Sequence, residues 1–301
     1  MVKTEISNKR RMKEAVRLCF FLIVQLAGLF FLFYPYISEY LASKASDSLI
    51  TAYKEEAVYS ENEQVLKEAK KYNQTLAENC IMKSDSYAES AGVSKEVYDS
   101  MLKLDEVNGM MGFITIPCIS VELPIFHGTS DTVLKEGVGH LMGTSLPVGG
   151  ENTHAVLTGH TGLNSAKLFT DLIDMEKGDM FFISVLNQKL CYEVTEIHVV
   201  DPSDQSQLRI KKGRDLCTLV TCTPYGVNSH RLLVTGERVP NMDIETVDSY
   251  EKSNEMKDSK WLTEYKNAIW TGVCLCFLLI LLLLISGTVR RAYKNIHHRS
   301  G

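Results

Sequence analysis

The stretch Leu216–Arg238, LCTLVTCTPYGVNSHRLLVTGER, reads as two strands joined by a turn. Its first run, Cys217–Thr221, is apolar and rich in β-branched residues, and Pro224, Gly226 and Asn228 then interrupt it before a second strand begins near Arg231. Cys222 therefore stands at a strand end and Arg231 near the start of the adjacent strand, so the two side chains converge on one groove. A thiolate attacks an acyl carbon directly, and a guanidinium beside it meets the negative oxygen that develops. Taken alone, the pair also fits a small buried hydrophobe and a surface cation.

Working outward, similar short runs recur at Gly112–Pro117, Val121–Ile125, His154–Thr158, Met180–Val185 and Leu190–Val200, broken by Gly, Pro, Asn and Asp. Seven or eight such strands, with one helical stretch near Ser165–Ile173, predict a mainly β domain, a barrel or sandwich, over residues 107–239. Before it, residues 38–91 contain no Gly until Gly92 and no Pro, and their apolar residues recur at helical spacing, which predicts a helical segment over 38–106 in one or two pieces. After it, Pro240 marks a boundary and residues 240–267 read as a charged linker.

Proton transfer needs a third group, and the histidines of this middle part are His127, His140, His154, His160, His198 and His230. His160 follows the run His154–Thr158 and lies between Gly159 and Gly162, where a strand opens into a loop; functional side chains collect at such places. His154 is a second candidate on the same strand. His127 and His140 fall in Gly-containing connections and read as structural, and His230, next to Arg231, points to the opposite face. A zinc site from Cys222, His154 and His160 lacks a fourth ligand.

The ends of the chain differ from its middle. Leu18–Ile37 runs for 20 residues without a formal charge, and Ala268–Val289 is a second such run. Each has the length that an α-helix needs to cross ~30 Å of hydrocarbon. Basic residues precede the first (1–17) and follow the second (290–301), which predicts that both ends are cytoplasmic and the middle lies outside. A cleaved leader is the alternative for the first run, but its apolar core is long and no small-residue cleavage site follows closely. The part outside holds 22 of the 32 basic and 35 of the 37 acidic residues, a formal −13 that argues against nucleic acid as a partner. Five of the eight cysteines lie there, Cys80, Cys118, Cys191, Cys217 and Cys222, so pairing leaves at least one thiol; the pairing of the first four is open.

The segment TLVTCTPYGVNSHRLLVTG closely resembles the active-site segment of class C, or pilin-polymerising, sortases. MGFITIPCISVELPIFHGTS, VLKEGVGHLMGTSLPVGGENTHAVLTGHTGL and SAKLFTDL resemble further segments of the same family, so the likeness covers roughly Met111–Arg238 and extends to the layout with two anchors. The resemblance implies an eight-stranded sortase-type β-barrel with short helices, and a cysteine transpeptidase. In such an enzyme Cys222 cleaves an LPxTG-like sorting signal between Thr and Gly, His160 protonates the leaving amine and Arg231 stabilises the oxyanion. It also implies an amine acceptor, in this class usually a pilin lysine, and no metal or other cofactor.

The class carries a lid of the form Asp-Pro-aromatic before the barrel, and its counterpart is Asp85-Ser86-Tyr87, where Ser86 departs from the pattern and loosens it. Thr235 stands where the family often has a basic residue, which alters the groove rim. Rival readings are a sortase that attaches proteins to a peptidoglycan amine, and a catalytically silent assembly scaffold. A papain-like hydrolase is disfavoured, because here His precedes Cys and both lie on strand ends.

Overall fold

The computed structural model describes residues 2–59, 62–82, 94–104, 107, 109–162, 166–240, 242, 250 and 260–297. It divides into two units, one of Met1–Ile37 with Lys260–Gly301 and one of Ser38–Ser259. In the first unit lie the apolar part of helix α1 (Val2–Tyr59) and helix α5 (Lys260–His297). Both are long and apolar enough to cross a membrane, with mean hydropathies of 2.3 and 2.9 over their most apolar stretches. Their large side chains, among them Phe20, Phe30, Phe31, Trp270 and Phe277, are exposed. A helix apolar on all sides with its large side chains largely uncovered is what a lipid environment stabilises.

The second unit is a closed barrel of eight strands in the order β1-β2-β3-β4-β7-β8-β6-β5. The strands are β1 (Met110–Ile116), β2 (Val121–His127), β3 (Val138–His140), β4 (Thr153–Thr158), β5 (Met180–Val185), β6 (Gln188–Val200), β7 (Asp215–Thr223) and β8 (His230–Arg238). Neighbours are antiparallel except β2 with β3 and β4 with β7. Closure removes the free edges that would otherwise recruit other chains. Side chains alternate across each strand. Ala155, Leu157, Cys217, Leu219, Leu232 and Val234 belong to the main core, whereas Val156, Val220 and Leu233 form a separate outer cluster with Leu208. Burial of each large apolar side chain contributes about 1.5–3 kcal/mol.

The helices before the barrel dock on it through buried apolar side chains and through polar groups that bond the barrel. In α1, Ile50, Tyr53 and Ala57 are buried at helical spacing, and the Tyr53 hydroxyl donates to the Met111 carbonyl and accepts from the Leu186 N–H, both at 2.8 Å. In α2 (Asn62–Met82), Ala69, Tyr72 and Leu76 are buried, while the Asn73 amide pairs with both the N–H and the carbonyl of Leu146. Helix α3 (Lys95–Ser100) is capped by Ser94, whose side chain accepts from the Val97 N–H. It buries Tyr98, whose hydroxyl lies 2.8 Å from His140 Nδ1 and accepts from the Gly128 N–H. On the other side of the chain, Tyr250 meets the ring of Phe182, and its hydroxyl accepts from the Met180 N–H.

Two expectations change. The connection 127–140 contains a short helix, α4 (Asp131–Glu136), and strand β3, three residues too short to leave a period in the sequence. The helical stretch expected near 165–173 is a single 3-10 turn, Thr170–Asp174. Leu168 has φ +44 and the Phe169 N–H bonds to the His160 carbonyl instead of a carbonyl four residues back, so a tertiary contact replaces the helix.

Candidate active site

Strand β7 ends one residue after Cys222, and the turn to β8 is closed by N–H groups of Val227 and Asn228 on the Pro224 carbonyl. Asn228 takes φ +59 there, a conformation that asparagine tolerates. In the β7/β8 ladder Cys222 is directly opposite Arg231. Directly opposite residues point to one face, here the outer face that also carries Val220 and Leu233. The Arg231 Nη1 donates to the carbonyls of Asn228 and His230 at 3.3 and 3.1 Å, so the hairpin's own backbone holds the guanidinium in place. On that side Asp201 is ionised readily: hydrogen bonds from the Ser203 hydroxyl and N–H hold its carboxyl below the usual range, with His230 and Arg231 adding to them.

On the other flank of β7, β4 pairs in parallel up to Thr158 with Val220. The pairing continues beyond the strand: the Gly159 N–H donates to the Val220 carbonyl at 3.0 Å, and the Thr221 hydroxyl to the Gly159 carbonyl at 2.8 Å. Advancing this register by one step sets His160 beside Cys222. Cys222 and Arg231 are thus neighbours across β7 and β8, with ~4.8 Å between backbones, and His160, two residues past the end of β4, completes a row with them when the β4/β7 register is extended. The row is half-buried, open enough to be reached by another chain.

The loop after His160 is held tightly. A Cβ on Gly159 would lie 2.6 Å from the Phe169 ring, so only glycine lets that ring pack under the loop. Gly162 has φ +75 and sits against the Tyr225 ring from the β7–β8 turn. Its N–H donates to the Thr170 hydroxyl. Below Phe169, the Lys167 ammonium pairs with Asp171 at 3.0 Å and bonds to the Ile119 carbonyl, while the Lys167 N–H donates to Glu39 of α1. Burial raises the Glu39 carboxyl pKa, a cost that this N–H and Lys167 partly offset.

The remaining histidines have other duties. His154, the second candidate, is buried opposite Leu216, six residues back along the ladder and ~20 Å from the level of Cys222, with its Nε2 2.7 Å from the Thr218 hydroxyl. Its Nδ1 lies 2.9 Å from the Arg209 carbonyl, fixing the loop between β6 and β7, and burial pushes its pKa down to about 4. His140, on a strand end and not in a plain connection, is fully buried with its pKa likewise near 4; its Nε2 donates to the Ser145 carbonyl. His127 bonds the Met101 carbonyl at 2.6 Å. Among the described residues no disulfide forms, and the thiols of Cys191 and Cys217 are raised in pKa by burial, which makes them inert beside the half-exposed Cys222. Asp85 and Tyr87 lie outside the described residues, as does the Cys80 side chain.

Sequence reading missed one neighbour. Asp131, the first residue of α4, places Oδ1 3.9 Å from His160 Nε2. The capping pattern, Ser130 accepting from the Val133 N–H, was the signal that could have located the helix bearing it. A cavity of about 990 Å³ between α1 and strands β1 and β2, lined by Glu39, Lys54, Phe113, Glu122 and Lys167 among others, touches none of the three residues of the row.

Residues 114–239 match the sortase domain model. Among curated relatives, sortase D of Bacillus subtilis is 31% identical over 137 residues, 44% of this chain and 66% of its own length. Sortase A of Streptococcus agalactiae is 31% identical over 142 residues, 46% of this chain and 57% of its own. The chain thus spans a little under two thirds of the curated relatives it matches. Solved structures extend further: sortase C1 of Streptococcus agalactiae is 43% identical, with 64% of this chain and 98% of that chain covered at a TM-score of 0.57. A sortase C of Streptococcus pneumoniae, whose structure was described in terms of catalysis and pilin substrate specificity, is 41% identical with 65% and 98% covered at 0.54. A closed eight-stranded barrel, the domain match and this agreement over the whole length of solved relatives place the chain in the sortase family, beside the sortases of class C.

Proposed function

We propose that the chain is a membrane-anchored cysteine transpeptidase that cuts an LPxTG-like sorting signal between Thr and Gly and passes the acyl group to an amine, in pilus assembly a lysine of a pilin subunit. The observation that supports this reading is the pairing of Cys222 with Arg231 across β7 and β8, with His160 two residues past the end of β4 on the other flank of β7. In the reactive form Cys222 is a thiolate and His160 an imidazolium. The sulfur attacks the threonine carbonyl carbon, Arg231 meets the oxygen as it gains charge, and His160 gives its proton to the departing glycine nitrogen as the C–N bond breaks. A thioester on Cys222 remains, and an amine resolves it. Both apolar helices span the membrane, both termini are cytoplasmic and the barrel lies outside, next to its protein substrates. The likeness to pilin-related sortases C supports a pilin as the acceptor over a peptidoglycan amine.

The test is the intact mass of the full chain in detergent after incubation with an LPxTG peptide. An adduct equal to the peptide truncated after Thr, absent from Cys222→Ala, is the expected result. A native chain that never gains this mass, at any peptide concentration, would overturn the reading in favour of a silent scaffold.

A further inference from the structure

We propose that Asp131 is the carboxylate that receives the cationic primary amine which resolves the thioester, a specificity-determining residue for the acceptor; this rests on the transpeptidase reading above. The argument starts from the direction of approach. The leaving amine departs on the side where His160 protonates it, and resolution is the same step run backwards, so the incoming amine arrives on that side too. A lysine amine has an ordinary pKa near ~10.4 and arrives as an ammonium ion. The side chain on the His160 flank that matches this charge is Asp131, with Oδ1 3.9 Å from His160 Nε2 and 82% of its side chain open to solvent.

Asp131 is held in place without being used up. It begins α4, where the Ser130 hydroxyl caps the Val133 N–H and a negative charge suits the helix start. Its other oxygen, Oδ2, is 3.4 Å from Lys135, one turn on. That pair is exposed on both sides, the kind that contributes little and is readily exchanged. An arriving lysine can take the place of Lys135 at the carboxylate while the tethered Lys135 ammonium turns to solvent.

The protons balance. The bound ammonium loses one proton to solvent, and its lone pair attacks the thioester carbon. As the C–N bond forms and the C–S bond breaks, the second proton passes to His160, left neutral by the first half-reaction. The products are the new amide, the Cys222 thiolate and the His160 imidazolium, ready for the next cycle. Asp131 stays an anion throughout: it attracts and orients the amine and takes part in no bond change.

The test uses the full chain in detergent with an LPxTG peptide as donor and two nucleophiles: Nα-acetyl-lysine amide, which is cationic, and hydroxylamine, which is uncharged at neutral pH. The ratio of amine product to hydrolysed product is read for the native chain, Asp131→Asn and Asp131→Lys. This ratio is independent of how fast the thioester forms. With Asp131→Asn, the lysine concentration giving equal amide and acid rises about 2- to 5-fold, the range for one exposed ion pair. It rises further with Asp131→Lys, and raised salt shrinks the difference; the hydroxylamine ratio stays put. Equal shifts for both nucleophiles would mean that Asp131 only shapes the His160 loop, and no shift with Asp131→Lys would mean that the amine enters elsewhere; either overturns the inference while the transpeptidase reading stands. Absence of the thioester from the native chain overturns both.

Discussion

Cys222, His160 and Arg231 are three residues of ordinary type, and on the proposed mechanism it is their place where β7 and its two neighbours stop that makes them reactive. Cys222→Ala is expected to abolish acyl transfer. Arg231→Ala is expected to lower turnover by ~10²–10³, the usual loss on removing one oxyanion donor. His160→Ala loses a factor of ~10²–10⁴ through proton transfer, and single-turnover release of the glycine amine measures each. Two other histidines act on stability instead. His140 and His154 are buried neutral with pKa near 4, below the ~6.5 of an unfolded chain, so the unfolded state binds more protons between these values. Stability is therefore complete above about pH 6.5 and falls as the pH drops toward 4. Melting curves at pH 7 and pH 5 should differ, with the chain less stable at pH 5 by ~1–2 kcal/mol for each histidine; equal stability at the two values would show that these imidazoles are solvated. Strand ends and glycines made Cys222, Arg231 and His160 legible as candidates, while their union in one site rested on the resemblance of the surrounding segments to a known family. Asp131 was not, since a lone aspartate in a loop carries no sign of which histidine it will face after folding.

At the scale of elements, most strands were legible from runs of apolar, β-branched residues, and they failed to show where tertiary contacts decide. Strand β3 has three residues and exists because β2 and β4 pair on either side of it. The 3-10 turn Thr170–Asp174 is short because the Phe169 N–H is engaged by His160. The helices before the barrel were legible as helices, but not the polar side chains that dock them. Asn73 is the clearest case: Asn73→Ala strips a buried N–H and a buried carbonyl of Leu146 of their partner, at a cost of ~1–3 kcal/mol. Thermal unfolding of the full chain should show a melting point lower by about 2–4 °C per kcal/mol lost. Asn73→Asp, which keeps the acceptor for the Leu146 N–H but buries a carboxylate against the Leu146 carbonyl, should melt lower still at neutral pH. A melting point unchanged in Asn73→Ala would mean that α2 is held by its apolar stripe alone.

Considering the molecule as a whole, charge and hydropathy divide the chain as the two units do, since the acidic surplus lies with the barrel and the basic surplus with the apolar helices. The orientation that this distribution predicts can be tested in a bacterial host. The chain should sediment with membranes, tags at either terminus should be protected from added protease in intact cells, and a membrane-impermeant maleimide should label the native chain more than Cys222→Ala. A tag cleaved in intact cells would reverse the assignment for that end.

The alternation of side chains on β7 has an evolutionary corollary. Cys217 and Leu219 sustain the barrel interior, while Val220, together with Val156, Leu208 and Leu233, packs on the outer face that leads to the cysteine. One strand thus carries two inventories read in alternate positions, and mutation can sample one while the other stays constant. Both inventories are packed, so a change at any of the four outer positions opens or overfills a second, smaller core, and a combinatorial library there would select for volume before it altered recognition.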